Sequence, residues 1–215
     1  MNRAEAVIFD MDGVIVDSEP WHERAFLEVL REIGFTEQME LRVADYVGRS
    51  DRDLWEDFVA RYKPARTLEQ LLSRKRSVVI EMLRREQPLF AGLKALVEEL
   101  ANSYKLAVAS GSERMVVEEV LALENLWQHF GTVVTSAEVA RGKPAPDIFL
   151  RAAQLLGVEP RDCWVVEDSK PGVAGGLAAG MRVIAITNTH PAAELAGASY
   201  VVSTYTEISK LLRRD

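Results

Sequence analysis

The sequence predicts an open, doubly wound parallel α/β sheet with a helical segment inserted after its first strand. Six short runs, at 5–9, 105–109, 132–135, 163–166, 182–186 and 199–202, are apolar and rich in Val and Ile. Continuous runs of this kind suit strands buried on both faces. Most are separated by stretches with apolar residues at helical spacing, and that alternation builds a parallel sheet covered by helices on both sides. The alternation breaks once, from Asp17 to Gln87, where no convincing strand occurs.

The elements follow in order. Val7, Ile8 and Phe9 open the sheet. In the inserted segment, Ser18 is placed to cap a helix with Pro20 at an early position that needs no amide donor. Trp21, Ala25, Phe26, Val29, Leu30 and Ile33 then recur at helical spacing up to Gly34. A second helix is expected through 41–48, a third over DRDLWEDFVARY with Ser50 as its cap, and a fourth from Thr67 to about Arg85. Beyond Pro88, GLKALVEELANS, SERMVVEEVLALENL and PDIFLRAAQLLG supply the helices between the later strands. The expected domains are therefore a core of 1–16 with 87–215 and a helical unit of 17–86.

Composition narrows the function. The 215 residues carry 26 Lys plus Arg against 33 Asp plus Glu, a net charge of −7. General electrostatic binding to nucleic acid or an anionic membrane is disfavoured. No apolar run approaches the roughly 20 residues needed to span a bilayer, and the N-terminal stretch meets acids too soon for a signal peptide. The single cysteine, Cys163, has no internal partner and reads as a small buried residue. The expectation is a cytoplasmic monomer acting on a small molecule.

The chemistry gathers where strands end. In open parallel sheets, ligands bind beyond the carboxyl ends of the strands. Asp10 and Asp12 follow the first strand, Ser110 the second, and Glu167 and Asp168 the fourth. Two carboxylates one residue apart at the edge of an apolar core repel each other and lose hydration, which suggests a cation nearby. An oxygen-rich cluster suits Mg²⁺. Lys143, just before a helix, can reach the same rim. Acids, a hard metal, a hydroxyl and a lysine together describe a site that handles phosphate.

Asp10-Met11-Asp12-Gly13-Val14 resembles the first motif of the haloacid dehalogenase superfamily, Ser110 its second, Lys143 in Gly142-Lys143-Pro144 its third, and Glu167-Asp168-Ser169 its fourth. The four occur in order across essentially the whole chain, and the inserted segment stands where that family carries a helical cap. The pattern is most similar to the β-phosphoglucomutase-like sugar-phosphate phosphatases and mutases. The resemblance implies an aspartyl-phosphate on Asp10, acid–base work by Asp12, and Mg²⁺ held by Asp10, the backbone carbonyl of Asp12, Asp168 and Glu167. It implies phosphate contacts from Ser110, Gly111 and Lys143. In the cap it points to Trp21, His22, Arg49 and Arg52 as substrate contacts. Val47 stands where the mutase has a lysine, which favours hydrolysis over isomerisation.

Plainer readings exist for each residue. Ser110, Glu167 or Asp168 could cap the helices that follow them. Trp21 could be helix core, and Lys143 and the arginines surface charge. The glycines of PGVAGGLAAG do not match GxGxxG and read as close helix packing. His22, His129 and His190 lack metal-ligand spacing. Two other functions use similar parts: a β-phosphoglucomutase, and a receiver-type signalling module. A receiver carries its acceptor aspartate on a middle strand and lacks an insertion of this size.

Overall fold

The computed structural model describes residues 4–35, 40–41 and 51–213. It divides into two compact units, Met1–Asp17 with Pro88–Asp215, and Ser18–Gln87.

The first unit is a six-stranded, all-parallel sheet in the order β3-β2-β1-β4-β5-β6. The strands are β1 (Ala6–Phe9), β2 (Lys105–Ser110), β3 (Thr132–Thr135), β4 (Cys163–Glu167), β5 (Arg182–Ile186) and β6 (Tyr200–Val202). Each of the six runs read as strands from the sequence is one. The helices of this unit are α4 (Leu93–Leu100), α5 (Arg114–Ala122), α6 (Asp147–Leu156), α7 (Lys170–Ala178) and α8 (Tyr205–Leu212). On one face, Ala6, Ile8, Ala107, Ala109 and Val165 pack with Ile148, Phe149, Ala152 and Ala153 of α6 and Val173 of α7. The small alanines on the strands let α6 lie close. Val7, Phe9, Leu106 and Val108, which alternate with them, are buried as well, so the strands carry no polar face.

Register sets the rim. Phe9 is level with both Val108 of β2 and Val166 of β4. The chain therefore leaves the sheet at Asp10 and Glu167 side by side, with Ser110 one residue further along β2. The two linkers to the second unit also run together. Val16 bridges Leu89 antiparallel, and the Asp17 amide donates to Pro88 O at 2.9 Å.

The second unit contains α1 (Glu19–Glu32), α2 (Asp51–Tyr62) and α3 (Leu68–Glu86), with α1 and α2 both packed on α3. Its core sets a cluster of aromatic rings among Leu and Val side chains. Phe26 meets Trp55 at 4.6 Å between ring centroids, and Phe58 meets Trp55 edge-on at 5.5 Å. Such pairs add about 0.5–1.5 kcal/mol beyond area burial. Thr67 and Gln70 form a full capping box at the start of α3. Ser18 stands at the N-cap of α1 but in helical backbone conformation, and its side chain makes no capping bond, contrary to expectation. The helix expected over 41–48, Val47 and the Ser50 cap lie outside the described residues.

Candidate active site

The site is built on loops that leave the sheet at one edge. After β1 the chain folds back at once. The amides of Val14, Ile15 and Val16 all donate to Met11 O, at 3.2, 2.7 and 3.1 Å, and that of Gly13 to Val16 O at 2.9 Å. This tight loop holds Asp10 at its base and Asp12 at its tip. Gly13 has φ +77°, and a Cβ there would overlap the Asp168 carboxylate. Glycine thus serves both the turn and the close approach of two loops.

Asp10, Glu167 and Asp168 are all buried, and their carboxylate oxygens converge within 4.8 Å of one another. Lys143 Nζ stands 2.6 Å from Asp10 Oδ1 and 2.6 Å from Glu167 Oε1. It donates a hydrogen bond to Glu167. Its contact with Asp10 Oδ1 is equally short, so one ammonium is shared between two buried carboxylates. Nζ also lies 5.2 Å from the centroid of the Phe149 ring.

Glu167 is differently placed. Its Oε2 accepts from the amides of Asp168 (2.8 Å) and Ser169 (2.9 Å) and from Ser169 Oγ (2.9 Å). With Lys143 on Oε1, both oxygens are engaged. The helix cap is Ser169, whose Oγ accepts from Gly172 N at 3.2 Å, and neither Glu167 nor Asp168 fills that role. A Cβ on Gly172 would overlap the Glu167 carboxyl group, so the first turn of α7 is moulded around this carboxylate.

Burial foremost raises the Asp10 carboxyl well above the usual range. Lys143 opposes the rise, and Glu167, Asp168 and Asp12 add to it. Asp168 is pushed up to about 7, first by burial and then by Glu167, against the pull of its bond from Thr189. Burial pulls the Lys143 ammonium the other way, but Asp10 and Glu167 outweigh it and hold the lysine charged. Three gathered acids and one ammonium leave a deficit of positive charge. The donor set is all oxygen, three buried carboxylates against one ammonium, and it fits a hard divalent cation such as Mg²⁺.

The Asp12 carboxylate turns toward β2, not into this cluster. Its Oδ2 accepts from Ser112 Oγ at 2.7 Å and, at a long 3.4 Å, from Ser110 Oγ. Ser110 is fully buried and accepts from Ser112 N at 3.0 Å. It does not cap α5, whose N-cap position is Glu113. The carbonyl of Gly111, which is exposed, accepts from Ser136 Oγ.

The structure thus brings together Asp10, Asp12, Ser110, Lys143, Glu167 and Asp168. Trp21, His22 and Arg52 belong to the helical unit. Trp21 is covered by Arg24 at 4.7 Å, and His22 Nδ1 lies 3.0 Å from the Nζ of the buried Lys75. Arg52 is half exposed and paired with Glu69 (2.8 Å) and Glu56 (3.7 Å). Arg49 lies outside the described residues. Sequence reasoning quoted Ser169 only as part of the fourth motif and missed Ser112 and, beyond β5, Thr189, whose Oγ1 donates to Asp168 Oδ2.

A family model for haloacid dehalogenase-like hydrolases matches residues 7–186. The chain belongs to that family. It is accordingly a phosphohydrolase enzyme with a phosphatase function. Among its relatives, the fructose-1-phosphate phosphatase YqaB of Escherichia coli is 34% identical over 185 residues, covering 85% of this chain and 96% of that one. The β-phosphoglucomutase of Bacillus subtilis is 30% identical over 215 residues, covering 95% and 92%. A solved HAD hydrolase (family IA, variant 3) from Entamoeba histolytica superposes with a TM-score of 0.82 at 26% identity, covering 97% of this chain and 98% of that one.

Proposed function

We propose that this phosphatase hydrolyses small sugar phosphates in a Mg²⁺-dependent reaction through a phosphoryl group carried on Asp10. The observation that carries the reading is Asp10 itself, a buried carboxylate at the strand edge, 2.6 Å from Lys143 and gathered with two further acids. The relatedness to a fructose-1-phosphate phosphatase supports the substrate class.

Asp10, Asp168 and the Asp12 backbone carbonyl would hold the metal. Glu167, with its oxygens already engaged, would act through Lys143 and water. When bound, Mg²⁺ supplies charge that lets an anionic nucleophile meet an anionic phosphate. Asp10 attacks phosphorus, an Asp10 O–P bond forms and the ester O–P bond breaks. Asp12 gives its proton to the departing oxygen. Asp12 then takes a proton from water as the water oxygen attacks phosphorus, releasing orthophosphate and regenerating the Asp10 carboxylate. Ser110, the Gly111 amide and Lys143 stabilise the transferring group.

The helical unit is assigned substrate choice, with Trp21, His22, Arg49 and Arg52 as contacts. The reading includes a cytoplasmic monomer, and no described helix is long and apolar enough to cross a membrane. The relatedness to a β-phosphoglucomutase supports a second reading, in which the phosphoryl group returns to a sugar. A sugar-phosphate screen with glucose 1-phosphate and its bisphosphate primer separates the two. We expect orthophosphate from one or more hexose or pentose phosphates, and primer-dependent isomerisation with little release would overturn hydrolysis.

A further inference from the structure

The catalytic rim has one more loop than the four motifs supply. It follows β5 and carries Asn188 and Thr189. Asn188 Nδ2 donates to Gly13 O at 2.8 Å and to Tyr205 Oη at 2.9 Å, and Tyr205 Oη donates to Val14 O at 2.7 Å. Proton counting closes here. A primary amide has two protons and finds two acceptors, while the phenol accepts one and donates one. Burial foremost raises the Tyr205 phenol above its ordinary range, which keeps that donor in place. Beside it, Thr189 holds Asp168. Two consecutive residues thus grip the loop of the paired aspartates and the carboxylate of the fourth motif.

The loop needs that grip. Its amides from Gly13 to Val16 are turned inward to Met11 O and Val16 O, while Gly13 O and Val14 O are held from outside by Asn188 and Tyr205. Gly13 directly follows Asp12. A glycine at positive φ is the softest joint in such a turn, and its rotation would swing the Asp12 carboxylate. Misplacing a reacting group by about 1 Å can cost about 10²-fold in rate.

Building on the phosphatase reading above, we infer that Asn188, acting with Tyr205, is a positioning residue that aims the Asp12 carboxylate at the leaving oxygen by clamping Gly13 and Val14. The clamp acts on proton transfer and leaves phosphate binding alone. Its loss is therefore felt most where the departing oxygen needs a proton.

The test compares Asn188→Ala, Asn188→Asp and Tyr205→Phe with wild type on phenyl phosphate and p-nitrophenyl phosphate in Mg²⁺. Circular dichroism melts serve as the folding control. Tyr205→Phe removes one oxygen and keeps the ring beside Phe90, so it tests the clamp even if an Asn188 variant fails to fold. We expect kcat/KM, which the shared hydrolysis of the phosphorylated Asp10 does not enter, to fall by about 10-fold or more on phenyl phosphate in each variant and by less than about threefold on p-nitrophenyl phosphate. Asn188→Asp keeps the shape but supplies no donor, so it should fail as Ala does. Equal losses on both esters, no loss, or a wild-type-like Asn188→Asp would overturn the inference. A wild type that releases orthophosphate neither from these esters nor from any hexose or pentose phosphate would instead overturn the hydrolytic reading above, and this inference with it.

Discussion

Ser112 Oγ donates a 2.7 Å hydrogen bond to Asp12 Oδ2. The acid proposed for proton transfer is thereby held away from the Asp10–Glu167–Asp168 cluster, where like charges would crowd it. Ser112 reaches Asp12 through its hydroxyl, while its amide donates to Ser110 Oγ.

The two serines should therefore separate in kinetics. Ser112→Ala should lower kcat/KM by about three- to tenfold on esters with poor leaving groups and little on p-nitrophenyl phosphate, since it loosens Asp12 alone. Ser110→Ala should lower both by at least about tenfold, because its hydroxyl is assigned to the transferring phosphoryl group. Identical profiles would reject the division of roles.

Asp10→Asn and Asp12→Asn should differ in kind. An amide at position 10 is a poor nucleophile, so no acid-stable label from ³²P-labelled substrate should remain on the protein and turnover should vanish. Asp12→Asn should lower kcat/KM by about 10²–10⁴-fold, least for p-nitrophenyl phosphate. An Asp12→Asn enzyme equally impaired on good and poor leaving groups would argue against the acid–base role.

Much of this was legible in the sequence because strand ends obey topology. Once β1, β2 and β4 are read as neighbouring parallel strands, Asp10, Ser110 and Glu167 must share an edge. The same rule applied to β5 reaches Thr187, Asn188 and Thr189. They were passed over because hydroxyls and amides lack the charge signal that draws attention to acids. The division of labour between Glu167 and Asp168 was not legible. It depends on how α7 begins, with Ser169 as the cap and the first turn wrapped on the Glu167 carboxylate. Arg52 read as a substrate contact from its neighbourhood in the chain. The structure gives it Glu69, 17 residues away across a helix pair, and no linear pattern announces such a partner.

Stripping metal with EDTA should abolish hydrolysis, and Mg²⁺ should restore it. A melting measurement reports binding without activity. A ligand at 100 times its Kd stabilises the native state by about 2.7 kcal/mol. Mg²⁺ should raise the melting temperature of wild type by several degrees and leave Asp168→Asn nearly unmoved. Equal melting shifts in both proteins would remove Asp168 from the metal site.

Cys163 should be inert in the native protein. Burial first, then Asp162 and Glu5, push its thiol up to about 12. At pH 8 both states keep the thiol protonated, so it contributes no pH dependence there. Between about pH 9 and 12 the unfolded chain releases this proton while the native one retains it. The native state then binds more protons, and stability falls as pH rises. Ellman's reagent at pH 8 should label the native chain only as fast as it unfolds, and one thiol per chain at once in denaturant. Rapid native labelling would contradict this placement.

Gly172 offers the sharpest reversal of an ordinary rule. Replacing a helical glycine by alanine usually stabilises by about 0.5–1 kcal/mol, because alanine loses less backbone freedom. Gly172 lies in the first turn of α7, and a methyl group there would overlap both carboxylate oxygens of Glu167. Those oxygens cannot retreat without breaking the bonds from Lys143, Ser169 and the Asp168 amide. Overpacking of this kind typically costs 1–3 kcal/mol. We therefore expect Gly172→Ala to lower the melting temperature and to lower kcat as well, since displacing Glu167 frees Lys143 from one of its two acids. A Gly172→Ala protein that melts higher than wild type with unchanged turnover would mean that Glu167 does not anchor Lys143 against the start of α7.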